Sequence, residues 1–213
     1  MEDLISQYNE MQNIYGSKEL DPVDGCGKNN NPDIALVFMN PTKKNIATAK
    51  TWSGLKAQWL GTKQIWDFLT KCNLFNAALN KIIQSKKPKD WTPLFCQEVY
   101  DEVSNQGLWI TNLAKCTQDD ARPLPDKIFL KYKELLKKEL KLVNPKKIFL
   151  FGNQVSSLIL EKPITVSTTR HKKFDLIIDN KTYECYALFY PVGNGRFNQN
   201  KTIEDINYIL NNT

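Results

Sequence analysis

Four short apolar runs, each closed by a polar residue and a turn, alternate along this chain with stretches of helical periodicity. The runs are Ala35–Asn40, Leu108–Asn112, Lys147–Phe151 and Tyr183–Tyr190. Each reads as a buried strand that stops abruptly in a loop; in the first, Pro41 ends the ladder. Helical patterns occupy Leu55–Cys72, Gln97–Asn105, Pro125–Val143 and Gln154–Leu160, with two more at Leu4–Tyr15 and Thr202–Leu210. Pro125 suits a helix start, because its missing N–H would have no partner there. Strand–helix–strand alternation calls for a mostly parallel sheet covered on both faces. The expected fold is α/β, a three-layer α-β-α arrangement around a central, mostly parallel four-stranded sheet, with residues 1–213 forming one domain. Phe174–Ile178 and Tyr183–Leu188 flank Asp179-Asn180-Lys181, which reads as a hairpin turn, so one strand pair near the C-terminus is expected to be antiparallel. Gln84–Pro93, rich in Lys and Pro, reads as a loop insertion, and Asp24–Pro32 as a polar loop.

Composition excludes several classes. No apolar run approaches the ~20 residues of a membrane span, and Met1-Glu2-Asp3-Leu4 has no signal-peptide pattern. A cytoplasmic protein with no membrane partner is expected. The five cysteines are Cys26, Cys72, Cys96, Cys116 and Cys185, with no C-x-x-C pair, and the one histidine is His171. That set favours neither disulfides nor a metal site, so no cofactor is expected. The net charge is +6, with much of the lysine between Lys127 and Lys147. There Ile128, Phe129, Tyr132, Leu135, Leu136, Leu140 and Val143 keep helical spacing, and the lysines read as the solvated face.

In open α/β sheets, ligands bind beyond the carboxyl ends of the strands. Those ends carry Asn40-Pro41-Thr42, then Thr111-Asn112-Leu113-Ala114-Lys115-Cys116, then Gly152-Asn153-Gln154, then Tyr190-Pro191-Val192-Gly193-Asn194-Gly195-Arg196. Trp52 follows the first. Amides that donate and accept, beside an aromatic face, suit a planar heterocycle. No Gly-rich loop with Lys-Ser/Thr supports phosphoryl transfer, and no G-x-S-x-G elbow supports a serine hydrolase.

These residues resemble the uracil-DNA glycosylase superfamily. Phe38-Met39-Asn40-Pro41-Thr42 looks like the asparagine version of its first motif. Ile110-Thr111-Asn112-Leu113-Ala114-Lys115-Cys116 is similar to the second motif of the iron–sulfur branch. Arg122-Pro123, the long helix, Asn144-Pro145 and Phe151-Gly152-Asn153 follow in that branch's order, over roughly residues 30 to 210. The departures are specific. Tyr190-Pro191-Val192 stands where the branch has His-Pro-Ser, Phe38 and Thr42 replace flanking glycines, and of the four cluster cysteines only Cys116 is matched. No cluster is expected; Cys116 reads as a buried thiol.

The resemblance implies cleavage of the bond between a base and deoxyribose in DNA, single- or double-stranded, by a monomer. Asn40 would orient the attacking water and Tyr190 would hydrogen-bond the leaving base, aided by the amides of Val192 and Gly193. Asn112 would read the base edge, Trp52 would stack on it, and Met39 and Pro41 would complete the base contacts. Lys115, Arg170, His171, Gly193, Asn194, Gly195 and Arg196 would meet the DNA, with Phe197 as a wedge. Each residue also has a plain structural role open to it: Asn40 as a loop cap, Asn112 as a turn ligand, Trp52 and Tyr190 as packing, His171 as a surface residue. Two other functions stay open, a nucleic-acid-binding module without catalysis and a hydrolase of small nucleosides.

Overall fold

The computed structural model describes residues 1–121 and 124–212, so Arg122-Pro123 of the resemblance lie outside the described residues. Among these residues there are six strands: β1 Cys26–Gly27, β2 Ile34–Phe38, β3 Leu108–Asn112, β4 Lys147–Phe151, β5 Lys173–Ile178 and β6 Lys181–Leu188. They form one sheet in the order β1-β3-β2-β4-β6-β5. The central pairs β2–β3, β2–β4 and β4–β6 are parallel. The edge pairs β1–β3 and β5–β6 are antiparallel. The expectation of four strands is therefore corrected to a mixed sheet of six. Its four parallel members are the apolar runs. The fifth is the hairpin partner, and the sixth is a two-residue edge inside the segment read as polar loop. Two residues are too short to leave a periodic signal.

The pleat separates the sheet's two faces, since successive side chains point in opposite directions. Ile34, Leu36 and Phe38 of β2 join Leu108 and Ile110 of β3 in one core, with residues of helices α2 Gln64–Lys71, α3 Ala77–Ser85, α4 Pro93–Asn105 and α7 Gln199–Asn212. Ala35, Val37 and Trp109 join the other core, under α1 Glu2–Tyr15, α5 Asp126–Val143 and α6 Asn153–Ile159. Because helices cover both faces, β2 and β3 are buried throughout and show no alternation. None of the described helices is long and apolar enough to cross a membrane.

Two helix boundaries differ from expectation for local reasons. The pattern at Leu55–Cys72 yields a helix only from Gln64, because Trp59 (φ +68°) and Gly61 (φ +79°) are both left-handed and interrupt any earlier turn. The expected insertion at Gln84–Pro93 is partly helical. Helix α3, capped by the Asn76 side chain accepting from the amides of Ala78 and Leu79, runs into it as far as Ser85, and Pro88–Asp90 forms a 3-10 turn.

Candidate active site

The pairing of β2 with β3 does not stop at the strand ends. Beyond them the amides of Leu113 and Ala114 donate to the carbonyls of Phe38 and Met39, at 2.8 and 2.9 Å, and Gln118 N donates to Pro41 O at 3.1 Å. Lys43 N returns a bond to Gln118 O. The loops carrying Asn40 and Asn112 thus run side by side as one rigid shelf. Phe38 and Asn112 are register partners, and both point to the same face as Leu36 and Ile110.

Asn112 is fully buried, yet its Oδ1 has no hydrogen-bond partner. Its orientation follows from backbone groups further back. Asn45 Oδ1 accepts from Ala47 N at 3.2 Å, so Asn45 Nδ2 is the end that donates, to Ala57 O at 2.8 Å and at long range, 3.5 Å, to Gln58 Oε1. Gln58 Oε1 also accepts from Asn112 Nδ2 at 3.1 Å. In this arrangement Asn112 Oδ1 is the acceptor left over. A buried donor or acceptor without a partner costs about 1–3 kcal/mol, a state that Trp59 Nε1, Trp66 Nε1 and Asp205 Oδ2 share.

Aromatic rings complete this corner. Phe38 stacks on Phe151 at 4.5 Å and receives two ring edges, Trp59 at 5.1 Å and Tyr190 at 5.9 Å. Trp59 holds a left-handed backbone that is rare for so bulky a residue. Tyr190 is half-buried, and burial pushes its phenol well above its ordinary range. At neutral pH it is a hydrogen-bond donor and not a charge. Asn40 is half-buried, its Nδ2 tied to Pro41 O at 3.1 Å. Gly195 lies so close to Tyr190 that a Cβ would overlap the Tyr190 carbonyl oxygen.

The structure thus brings Asn40, Pro41, Asn112, Tyr190 and Gly195 to one sheet edge, and corrects several other assignments. Met39 packs its side chain into the core on the opposite face from Asn112. Trp52 donates its Nε1 to Leu55 O and lines a cleft with Asn45 and Trp91, and the indole edge against Phe38 is that of Trp59. Lys115 is 1% exposed and unavailable to DNA. Its Nζ meets Glu139 Oε2 at 2.7 Å and donates to Thr111 Oγ1 and Asn112 O at 2.5 and 2.6 Å. Arg170 and His171 reach the buried Asp205 carboxylate, each at 2.8 Å, and His171 stacks on Tyr208 at 4.0 Å, so both are held to α7. The Gly193 amide donates to Gln64 Oε1 at 3.0 Å and is spoken for. Asn194, Arg196 and Phe197 do stand exposed, Phe197 at 82%, with the Arg196 guanidinium over its ring. Cys116 is buried, and burial raises its thiol pKa.

Sequence reasoning missed Gln58 and Trp59. They sit in an aperiodic stretch within an assumed helix, and the sole available signal was the Gly61 that ends it.

The site is thus a parallel-centred α/β sheet with a buried, half-paired amide near aromatic rings at its carboxyl edge. The chain belongs to the uracil DNA glycosylase superfamily, whose family model matches residues 26–211, nearly its whole length. A search of curated proteins finds no match.

Proposed function

We propose that the protein is a monofunctional DNA glycosylase that hydrolyses the N-glycosidic bond of uracil or another deaminated base. The observation that carries this reading is the unpartnered Oδ1 of buried Asn112. Deamination replaces an amine by a carbonyl and so places an N–H on the ring nitrogen that was an acceptor. Asn112 Oδ1 pairs with that N–H and faces a lone pair in cytosine or adenine. A site built around such a bond rejects the analogue that lacks it, because the buried group is then left unpaired.

The target nucleotide leaves the stack to reach this corner, with Phe197 filling the gap and Arg196 at a phosphate. As the bond lengthens, the sugar becomes oxocarbenium-like and the base gains negative charge. Tyr190, a neutral phenol, donates to the departing base. Asn40, anchored through Nδ2, orients the attacking water through Oδ1. An amide is too weak a base to deprotonate it, so the rate rests on placement and on stabilising the anion.

The test is incubation with single- and double-stranded oligonucleotides bearing uracil, hypoxanthine or xanthine, followed by alkaline cleavage of abasic sites. Excision of at least one base by the wild type, lost in Asn40→Ala with DNA binding kept, is the expected result. Folded wild-type protein that binds DNA and cleaves none of the substrates would make it a binding module.

A further inference from the structure

Beside the Asn112 corner lies a cleft of about 400 Å³, inside the roughly 300–1,000 Å³ range of small-ligand sites. Asn45 is common to both: it lines the cleft, and its Nδ2 lies at the back of the Gln58–Asn112 relay. The other walls come from two separate segments, Lys43, Ile46 and Trp52 on one side and Lys89 and Trp91 on the other. Both segments are basic. Residues 43–52 contain Lys43, Lys44 and Lys50 and no acid; residues 86–91 contain Lys86, Lys87 and Lys89 against Asp90 alone. Asp90 is engaged, accepting from Lys87 N at 2.8 Å. Among the described residues none of Lys43, Lys44, Lys50, Lys87 and Lys89 is held in an ion pair, whereas Lys56, Lys115, Lys133 and Lys141 all are.

The aromatic element is preset. Trp52 is half-buried, its Nε1 bonded to Leu55 O at 3.0 Å, and Gly54 sits so close that a Cβ would come within 2.7 Å of the ring. The ring therefore needs no ordering when something stacks on it. A fixed tryptophan flanked by uncommitted lysines is the chemistry of a single-stranded nucleic-acid subsite, where a base stacks and its phosphate is neutralised. Its place in the chain adds direction. Lys43 is three residues past Asn40 on the same hydrogen-bonded shelf, so a strand with one nucleotide at Asn40 passes the mouth of the cleft.

We propose that this cleft holds a neighbouring nucleotide of the same DNA strand, its base on Trp52 and its phosphate between Lys43 and Lys89. The proposal rests on the glycosylase reading for the identity of the strand. It gives the protein a grip on unpaired DNA next to the lesion.

The test is fluorescence anisotropy of lesion-free labelled oligothymidylate against the full-length protein over a salt series. Trp52→Leu weakens binding about 5- to 140-fold, the loss expected for one stacked base. Lys43→Gln/Lys89→Gln lowers the magnitude of the log–log salt slope by about 0.7, the value for one single-strand phosphate. The lysine pair is exposed, so its result stands even if Trp52→Leu misfolds. Wild-type affinity and slope in the folded lysine variant overturn the proposal. So does oligoglutamate that competes as well as unlabelled oligothymidylate, since it would show a site for acidic peptide. If the variants bind normally while the wild type excises a base, the cleft fails and the glycosylase stands. If the wild type excises nothing but the variants lose oligothymidylate, the glycosylase fails and the cleft remains.

Discussion

Thr111 and Asn112 are neighbours at the end of β3, both polar and both fully buried, and they meet opposite fates. Thr111 faces the α5 side. There its hydroxyl accepts from Lys115, whose ammonium is paired with Glu139. Glu139 in turn accepts from Tyr8 and Trp109, each at 2.8 Å. Burial alone would raise the Glu139 pKa, but Lys115, with Thr111 and Trp109, outweighs it and holds the carboxylate below its usual range. Asn112, on the other face, has half of its amide satisfied by Gln58 and half left open. The first cluster is closed and ties α1, β3 and α5 together. The second keeps one acceptor without a partner. Two buried polar groups one residue apart thus differ in whether their hydrogen bonds add up.

The contrast breaks first at the closed cluster. Lys115→Met leaves Glu139 as an unpaired buried charge, and the expected cost is about 3–5 kcal/mol. A urea melt followed by circular dichroism should show the midpoint falling with the slope unchanged; a midpoint within error of wild type removes the structural role given to this pair.

At the open cluster the effect moves from stability to activity. Asn112→Leu is expected to change stability by less than about 1 kcal/mol, because it deletes an unsatisfied acceptor along with one bond. It should lower excision about 10²- to 10³-fold, the loss seen when one such transition-state contact goes. Single-turnover excision beside a melt separates the two. Unfolding of Asn112→Leu with full specific activity in what remains folded would reverse the comparison.

A third test concerns a carboxyl beside the Lys115–Glu139 pair. Asp24 is pushed up to about 6 by burial, against the opposing pull of Lys115, and its Oδ1 is buried without a partner. A raised carboxyl pKa means the fold prefers the protonated acid. That preference leaves stability intact below the unfolded pKa near 4 and removes it as pH rises through 6. Asp24→Asn should therefore stabilise by about 1–3 kcal/mol at pH 8 and do little at pH 4. Equal effects at the two pH values would refute the assignment.

The smallest expected effect is at Phe197, exposed and free of the core. Phe197→Ala should leave the melt within about 0.5 kcal/mol, while excision from duplex falls more than from single strands, because only a duplex needs the gap filled. Equal loss on both substrates argues against a wedge.

Much of the fold was legible in the chain. Ala35–Asn40 and Leu108–Asn112 read as strands because burial on both faces leaves unbroken apolar runs, and α5 read as a helix because its period survives over eighteen residues. Asn40, Asn112 and Tyr190 were visible for the same reason, as polar groups placed where parallel strands end. The sequence had no way to show which face each side chain takes once the run ends. Lys115 and Arg170 looked like free cations, yet one is sealed against Glu139 and the other is bound to Asp205. Trp52 and Trp59 are equal as letters. Their different places come from left-handed turns at 59 and 61 that no periodicity announces.

The sequence by itself determined the parallel centre of the sheet and the asparagines at its edge, because burial pattern and strand ends are local properties. Only the tertiary structure decided that Lys115 is structural, that Trp59 replaces Trp52 beside Phe38, and that Asn112 Oδ1 is the open acceptor. Those outcomes depend on partners at positions 139, 38 and 58, far away in the chain, and hydrogen-bond satisfaction is a property of the whole neighbourhood.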